Sequence, residues 1–203
     1  MGQLGRIFCL TWLVPLIACG AARNNTAAAT PTAPAAPAAR AVATADPATL
    51  EDFTRRLEEY IKVQHRLASE SPKLKETNNP GDITVAQDAL AAKIRAARQH
   101  AKRGDIFTPE IETLFRRLMY PELTGRDGRE TRANISDEGA NMRLQVNAKY
   151  PSTEALQTLP PNILAALPQV PADVEYRVVG QHLVLRDVDA NIIVDFIPNA
   201  IRS

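Results

Sequence analysis

Asp187, Asp189 and Asn191 in the stretch DVDAN stand at alternate positions, as the first three oxygen ligands of a calcium loop would. The pattern then fails. Its sixth position is Ile192, where glycine must turn the chain, and its twelfth is Pro198, where a bidentate glutamate must close the cage. Polar residues in a tight turn between two strands account for the same letters. Asp195 interrupts the apolar run IIVDF. A carboxylate there either faces solvent by strand alternation or is buried and needs a partner, and alternation favours solvent. Asp187 and Asp195 are nonetheless where an acid–base hydrolase would be sought, because convergent carboxylates in a cleft carry shifted pKa values.

The three histidines are His65, His100 and His182. A transition-metal site wants several imidazoles, thiolates or carboxylates converging, often four residues apart on a helix. These histidines are remote from one another in sequence, and a metal-responsive role needs His65 and His100 to meet across two helices. None of the five serines (69, 71, 136, 152 and 203) lies in G-x-S-x-G or S-x-x-K. The chain also lacks H-E-x-x-H, a P-loop and G-x-G-x-x-G. No catalytic, cofactor-binding or metal residue is assigned, and no cofactor is expected.

Lys93, Arg95, Arg98, Lys102 and Arg103 gather toward one end of a helical stretch. Cations there complement the negative end of the helix dipole on a solvated face, the favoured reading; the alternative is contact with anionic lipid head groups or acidic envelope polymers, which salt would weaken. The whole chain of 203 residues carries 24 basic and 23 acidic side chains, so no global field attracts nucleic acid. Aromatic residues, at 5%, are too sparse for a base-stacking platform.

The elements that must position these residues divide near Tyr120. Before it the apolar period is helical. Asp46-Pro47 joins a capping carboxylate to the residue suited to the first helical position. Leu50, Phe53, Leu57, Tyr60, Ile61, Val63 and Leu67 then follow at three- and four-residue steps to Ser69. Pro72 and NNPG at 78–81 break the pattern. Thr84-Val85-Ala86-Gln87 fits a capping box for a second helix, with Ile83, Ala86, Leu90, Ile94, Ala97 and Ala101 on one face and Gly104 as its stop. A third starts at Thr108-Pro109-Glu110 and runs to Tyr120-Pro121. After that, RLQVNAKY at 143–150 alternates as a strand does, and residues 158–171 hold a proline-framed helical turn. Three short strands are expected at 174–179, 183–188 and 192–197, turning at Gly180-Gln181 and Asp189-Ala190-Asn191. The fold class is α+β: a helical hairpin and third helix, then a small antiparallel sheet.

Both cysteines, Cys9 and Cys19, lie in the first twenty residues. Arg6, the apolar stretch Ile7 to Ala18 and the small residues after it have the layout of an export signal. Twelve apolar positions cover about 18 Å as a helix, short of a hydrocarbon core near 30 Å. Leu16-Ile17-Ala18-Cys19 resembles the lipobox of bacterial lipoproteins. That resemblance implies cleavage before Cys19 and acylation of its thiol; a plain secretory signal cut near Gly20 or Ala22 is the alternative. With Cys9 removed and Cys19 acylated, no intramolecular disulfide is possible. Residues 21–45 are almost wholly Ala, Thr and Pro, and cannot bury enough surface to offset their ordering entropy. Extended, such a spacer reaches up to about 75 Å.

The segments GDIFTPE (104–110), VNAKYP (146–151), VEYRVVG (174–180) and DANIIVDFIPNAI (189–201) look like those of a group of bacterial exported, lipoprotein-like proteins with no assigned activity. Tyr176, Gly180, Leu183, Leu185, Ile193 and Val194 are also similar to the hairpin of small periplasmic modules. The expected organisation is therefore a signal peptide at 1–18, a lipidated Cys19 with its linker at 19–45, and one domain at 46–203, helical to 120 and strand- and turn-rich from 121. The expected role is an exported, membrane-tethered envelope protein that binds an envelope protein or polymer without enzymatic activity. The alternatives are a hydrolase around Asp187 and Asp195, or a periplasmic metal-responsive protein using His65 and His100.

Overall fold

Asp46 accepts the Ala48 N–H at 3.3 Å, and Pro47 opens helix α1, Pro47–Ser69. Its apolar stripe buries Phe53, Leu57, Tyr60, Ile61 and Leu67, at the spacing that puts one face of a helix against a core. The second helix, α2, spans Pro80–Ala97 and so begins four residues before the expected Thr84. Asn79 and Pro80 repeat the device of Asp46 and Pro47: the Asn79 side chain accepts the Gly81 N–H at 3.0 Å, and proline occupies a position whose N–H has no helical partner. Only Leu90, Ala91 and Ile94 of α2 are fully buried, and Ile83 is 38% exposed. Helix α3, Pro109–Thr124, continues through Pro121 instead of ending there. An interior proline costs about 3 kcal/mol; burial of Leu118, Met119 and Leu123 along the same turns offsets it. Two short helices follow, α4 at Gly128–Ala133 and α5 at Pro161–Ala166.

The chain then folds into an antiparallel meander, β1 (Val174–Val179), β2 (His182–Asp187) and β3 (Ile192–Ile197), in that spatial order. Gly180 and Asn191 supply the positive φ values, 56° and 50°, that its two turns need. The fold is α+β. This computed structural model describes residues 46–71, 79–124, 128–133, 135, 143–151 and 159–201, all within one compact unit, Ala35–Ser203. The expected signal peptide at 1–18, Cys19, the Ala/Thr/Pro stretch at 21–45 and Pro72 lie outside the described residues.

One sheet face carries Val174, Tyr176, Val178, Leu183, Leu185, Ile192, Val194 and Ile197 into the main core with the helices. There Phe53, Phe107, Phe115 and Tyr176 form a chain of rings with centroids 5.0–6.0 Å apart. On the other face, Tyr150, Val179, Val184 and Ile193 form a smaller cluster, with Leu144 and Phe196 packed against it. Residues 143–150 are not a strand. They form a turn that meets β3 through one bridge, Lys149 to Ile192, and Asn147 sits there at φ 65°. A left-handed residue ends the alternation that the sequence suggested.

One irregularity decides where Asp195 points. Leu185 pairs with Asp195 but the next residue, Arg186, pairs with Ile193, so Val194 is an extra residue in β3. This β-bulge breaks the two-residue period. Asp195 consequently shares the helix-facing side with Leu185, whereas strict alternation would have placed it beside Ile193 on the other face.

Candidate functional site

Asp195 is wholly buried, contrary to the solvent-facing expectation. Its carboxylate is held by backbone. Oδ2 accepts the N–H groups of Ile106 and Phe107, each at 2.9 Å, and that of Gly104 at 3.1 Å; Oδ1 accepts from Phe196 at 2.8 Å. Gly104 lies at φ 90°, a conformation that a side chain would strain, and this turns its N–H inward. Asp195 therefore gathers residues 104–107 onto the sheet and so seats Phe107 against Phe53 and Phe115. Burial raises its pKa above the ordinary carboxylate value, against the opposing pull of the backbone donors of Phe107, Ile106, Gly104 and Phe196.

Asp187 is the second fully buried carboxylate. Tyr60 of α1 donates its hydroxyl to Oδ2 at 2.5 Å, and the Ala190 N–H reaches Oδ1 at 2.7 Å, closing the turn after β2. Burial raises the Asp187 pKa too, with Tyr60 and Ala190 acting in the opposite sense. Burial, together with the neighbouring Asp187 charge, pushes the Tyr60 phenol far above its usual range, so this proton stays on the tyrosine. Beside it, Asp189 accepts from Gln64 Nε2 at 3.2 Å, and Asn191 accepts from Arg186 at 2.8 Å. The DVDAN residues are thus turn-forming groups tied to α1 and β2, as turn chemistry suggested.

The Arg98 guanidinium lies 4.8 Å from the centroid of the Tyr60 ring. Burial lowers its pKa, while Tyr60, Asp105, Asp195 and Asp187 pull it upward, so the two carboxylates share one cationic neighbour. Arg98 and Arg95 also secure the 143–150 segment. Arg98 donates to Asn147 Oδ1 at 3.1 Å, its carbonyl accepts from Asn147 Nδ2 at 2.9 Å, and Arg95 donates to the Asn147 carbonyl at 2.9 Å. The Asn147 N–H reaches the Ile193 carbonyl at 2.8 Å. A single asparagine thereby joins the end of α2 to the edge of β3.

This dissolves the basic cluster read in the sequence. Lys93 donates to the Glu70 carbonyl at 2.6 Å, Arg95 and Arg98 hold Asn147, and Arg103 pairs with Glu112 at 2.7 Å. Among the described residues, Lys102 alone of the five makes no side-chain hydrogen bond or ion pair; its backbone N–H donates to Asp105 Oδ2 at 2.9 Å and its carbonyl accepts the Asp105 N–H at 3.3 Å. Lys102 and Arg103 border an open groove of about 290 Å³, whose other walls are Ala101, Leu144, Gln145, Val146 and Phe196. Neither Asp187 nor Asp195 lines it.

The histidines have separate surroundings. His65 Nε2 lies 2.5 Å from Asp173 Oδ1, and His100 is exposed beyond α2. His182 Nδ1 accepts the Asn199 N–H at 3.1 Å, which places its proton on Nε2, and burial lowers its pKa. Among the described residues, no group of three or more His, Cys, Asp or Glu side chains is arranged to hold a metal ion, and no helix is long and apolar enough to cross a membrane. The groove is the feature that sequence reasoning missed: its walls come from residues 101–103, 144–146 and 196, and only the exposed run Lys102-Arg103 hinted at it.

No family model, no curated protein and no solved structure matches the chain.

Proposed function

We propose that the protein is a lipid-tethered bacterial envelope protein that acts by binding rather than by catalysis, with the Lys102–Phe196 groove as its binding face. The tether rests on the lipobox-like Leu16-Ile17-Ala18-Cys19 and the spacer at 21–45. The observation that carries the binding reading is the division of labour among charged groups. Asp187 and Asp195, the pair a hydrolase would use, are engaged by Tyr60 and by backbone N–H groups inside the core, whereas the groove presents a cation and apolar walls. A general acid or base has to reach its substrate within hydrogen-bond distance, directly or through one water. Buried groups that do not line this groove are badly placed for that.

The tether is tested by fractionation. Wild-type protein is expected in the membrane fraction, and Cys19→Ala in the soluble fraction, because a buried acyl methylene contributes about 0.8 kcal/mol and several chains make detachment negligible. Wild-type protein recovered in the soluble fraction would overturn the proposal.

A further inference from the structure

The groove has a definite chemical character. Its rim carries Lys102, whose ammonium has no partner among the described residues, and the 48%-exposed Arg103, whose one close carboxylate partner among them is Glu112. Its walls include Leu144, Val146 and Phe196, each half-buried, with Leu144 and Phe196 resting on the smaller cluster and keeping part of their surface open. Both sides are held in place. Residues 104–107 hang on Asp195, directly after the rim, and Asn147 pins the segment that carries Leu144, Gln145 and Val146. A site whose walls are already ordered loses little entropy on binding. At about 290 Å³ it lies at the small end of ligand pockets, near the roughly 300 Å³ lower bound.

We infer that this groove binds a small amphiphilic carboxylate, its anionic head at Lys102 and Arg103 and a short aliphatic tail against Leu144, Val146 and Phe196. The head follows from charge: an exposed ammonium with no ion-pair partner among the described residues attracts an anion, whereas a cationic ligand would meet like charge. The tail follows from the walls, since burying apolar surface on both sides is the main attraction such a groove has to give. This deepens the binding reading above and rests on it, but it uses the groove alone; the fractionation reads Cys19, so the two fail separately.

The test is a titration of the full chain bearing Cys19→Ser, which has no thiol there to acylate. Octanoate is followed by amide chemical shifts. It should move the signals of Ala101, Lys102, Arg103, Gln145, Val146 and Phe196. Each methylene removed from the buried part of the tail should weaken binding up to roughly fourfold. Lys102→Gln should weaken it by about two- to fivefold, the range of an exposed ion pair, and added salt should narrow that difference. Val146→Ser should weaken it several-fold without changing the salt dependence. Absence of shifts at millimolar octanoate, equal binding of 1-octanol, or equal binding of acetate would each overturn the inference. The first removes the site, the second the anionic head and the third the tail.

Discussion

Residues 101–107 meet charge on two sides, and the two sides are built on opposite principles. Inward, Asp195 sits in the core with backbone donors on both carboxylate oxygens, and its neighbour Asp187 has Tyr60 and Ala190. Outward, Lys102 stands exposed with no side-chain partner among the described residues, above apolar walls that are only half-buried. A buried charge is tolerable only when hydrogen bonds answer it, so an answered one is a structural part. An unanswered surface charge costs the fold almost nothing and stays available to a ligand. The same loop therefore separates groups that maintain the architecture from groups that can recognise something.

The sharpest way to break that contrast is Asp195→Ala. It leaves the buried N–H groups of Ile106 and Phe107 without an acceptor, each worth about 1–3 kcal/mol, and loosens the loop that holds Phe107 in the ring cluster. Urea unfolding should show a loss of roughly 3 kcal/mol or more; a loss under about 1 kcal/mol would mean the carboxylate is not the anchor described. Asp195→Asn keeps one oxygen acceptor and should lose less.

Tyr60→Phe comes next, removing a hydrogen bond to a charged, buried acceptor worth about 1.5–3 kcal/mol at neutral pH. Its pH dependence has a definite sign. Burial raises the Asp187 pKa above its unfolded value, so Asp187 contributes stability that is present below about pH 3.9 and is lost as pH rises through the raised value. The Tyr60 hydroxyl lowers that value; deleting it raises the folded pKa further and enlarges the loss at high pH. The difference between wild type and variant should thus be greatest near neutrality and shrink on acidification toward pH 4. A difference that grows with acid would contradict the assignment of Asp187 as the ionised acceptor.

The smallest effect is expected at the groove. Lys102→Gln should change unfolding free energy by no more than about 0.5 kcal/mol, because that ammonium makes no hydrogen bond or ion pair among the described residues. A large destabilisation would put Lys102 in the structural class and erase the contrast between the two sides of the loop.

Much of the architecture was legible locally. Asp46-Pro47 and Pro109 marked helix starts, the three- and four-residue steps of α1 marked its buried face, and Gly180 and the Asp189–Asn191 turn delimited the strands. Where reading failed, a competing local signal or a distant partner prevailed. Thr84 looked like a cap but Asn79-Pro80 lay upstream with the same chemistry. Pro121 looked like a stop, yet core contacts of Leu118, Met119 and Leu123 carried α3 past it. The alternation at 143–150 gave way at Asn147, which adopts its left-handed conformation while bonding to Arg95, Arg98 and Ile193. Beyond the hint of Lys102-Arg103 the groove could not be read, because its walls come from three separate parts of the chain.

Periodicity and end-capping chemistry are properties of neighbours along the chain, so the letters alone determined the α+β class, the buried face of α1 and, to within a residue, the strand positions; the face expected for α2 held only at Leu90 and Ile94. The direction of Asp195 was decided only in the folded sheet. It depends on one extra residue, Val194, opposite β2, and on N–H groups about ninety positions away in sequence that become acceptable partners only after the helices pack against the sheet. A bulge is a relation between two strands, and no single strand's sequence contains it.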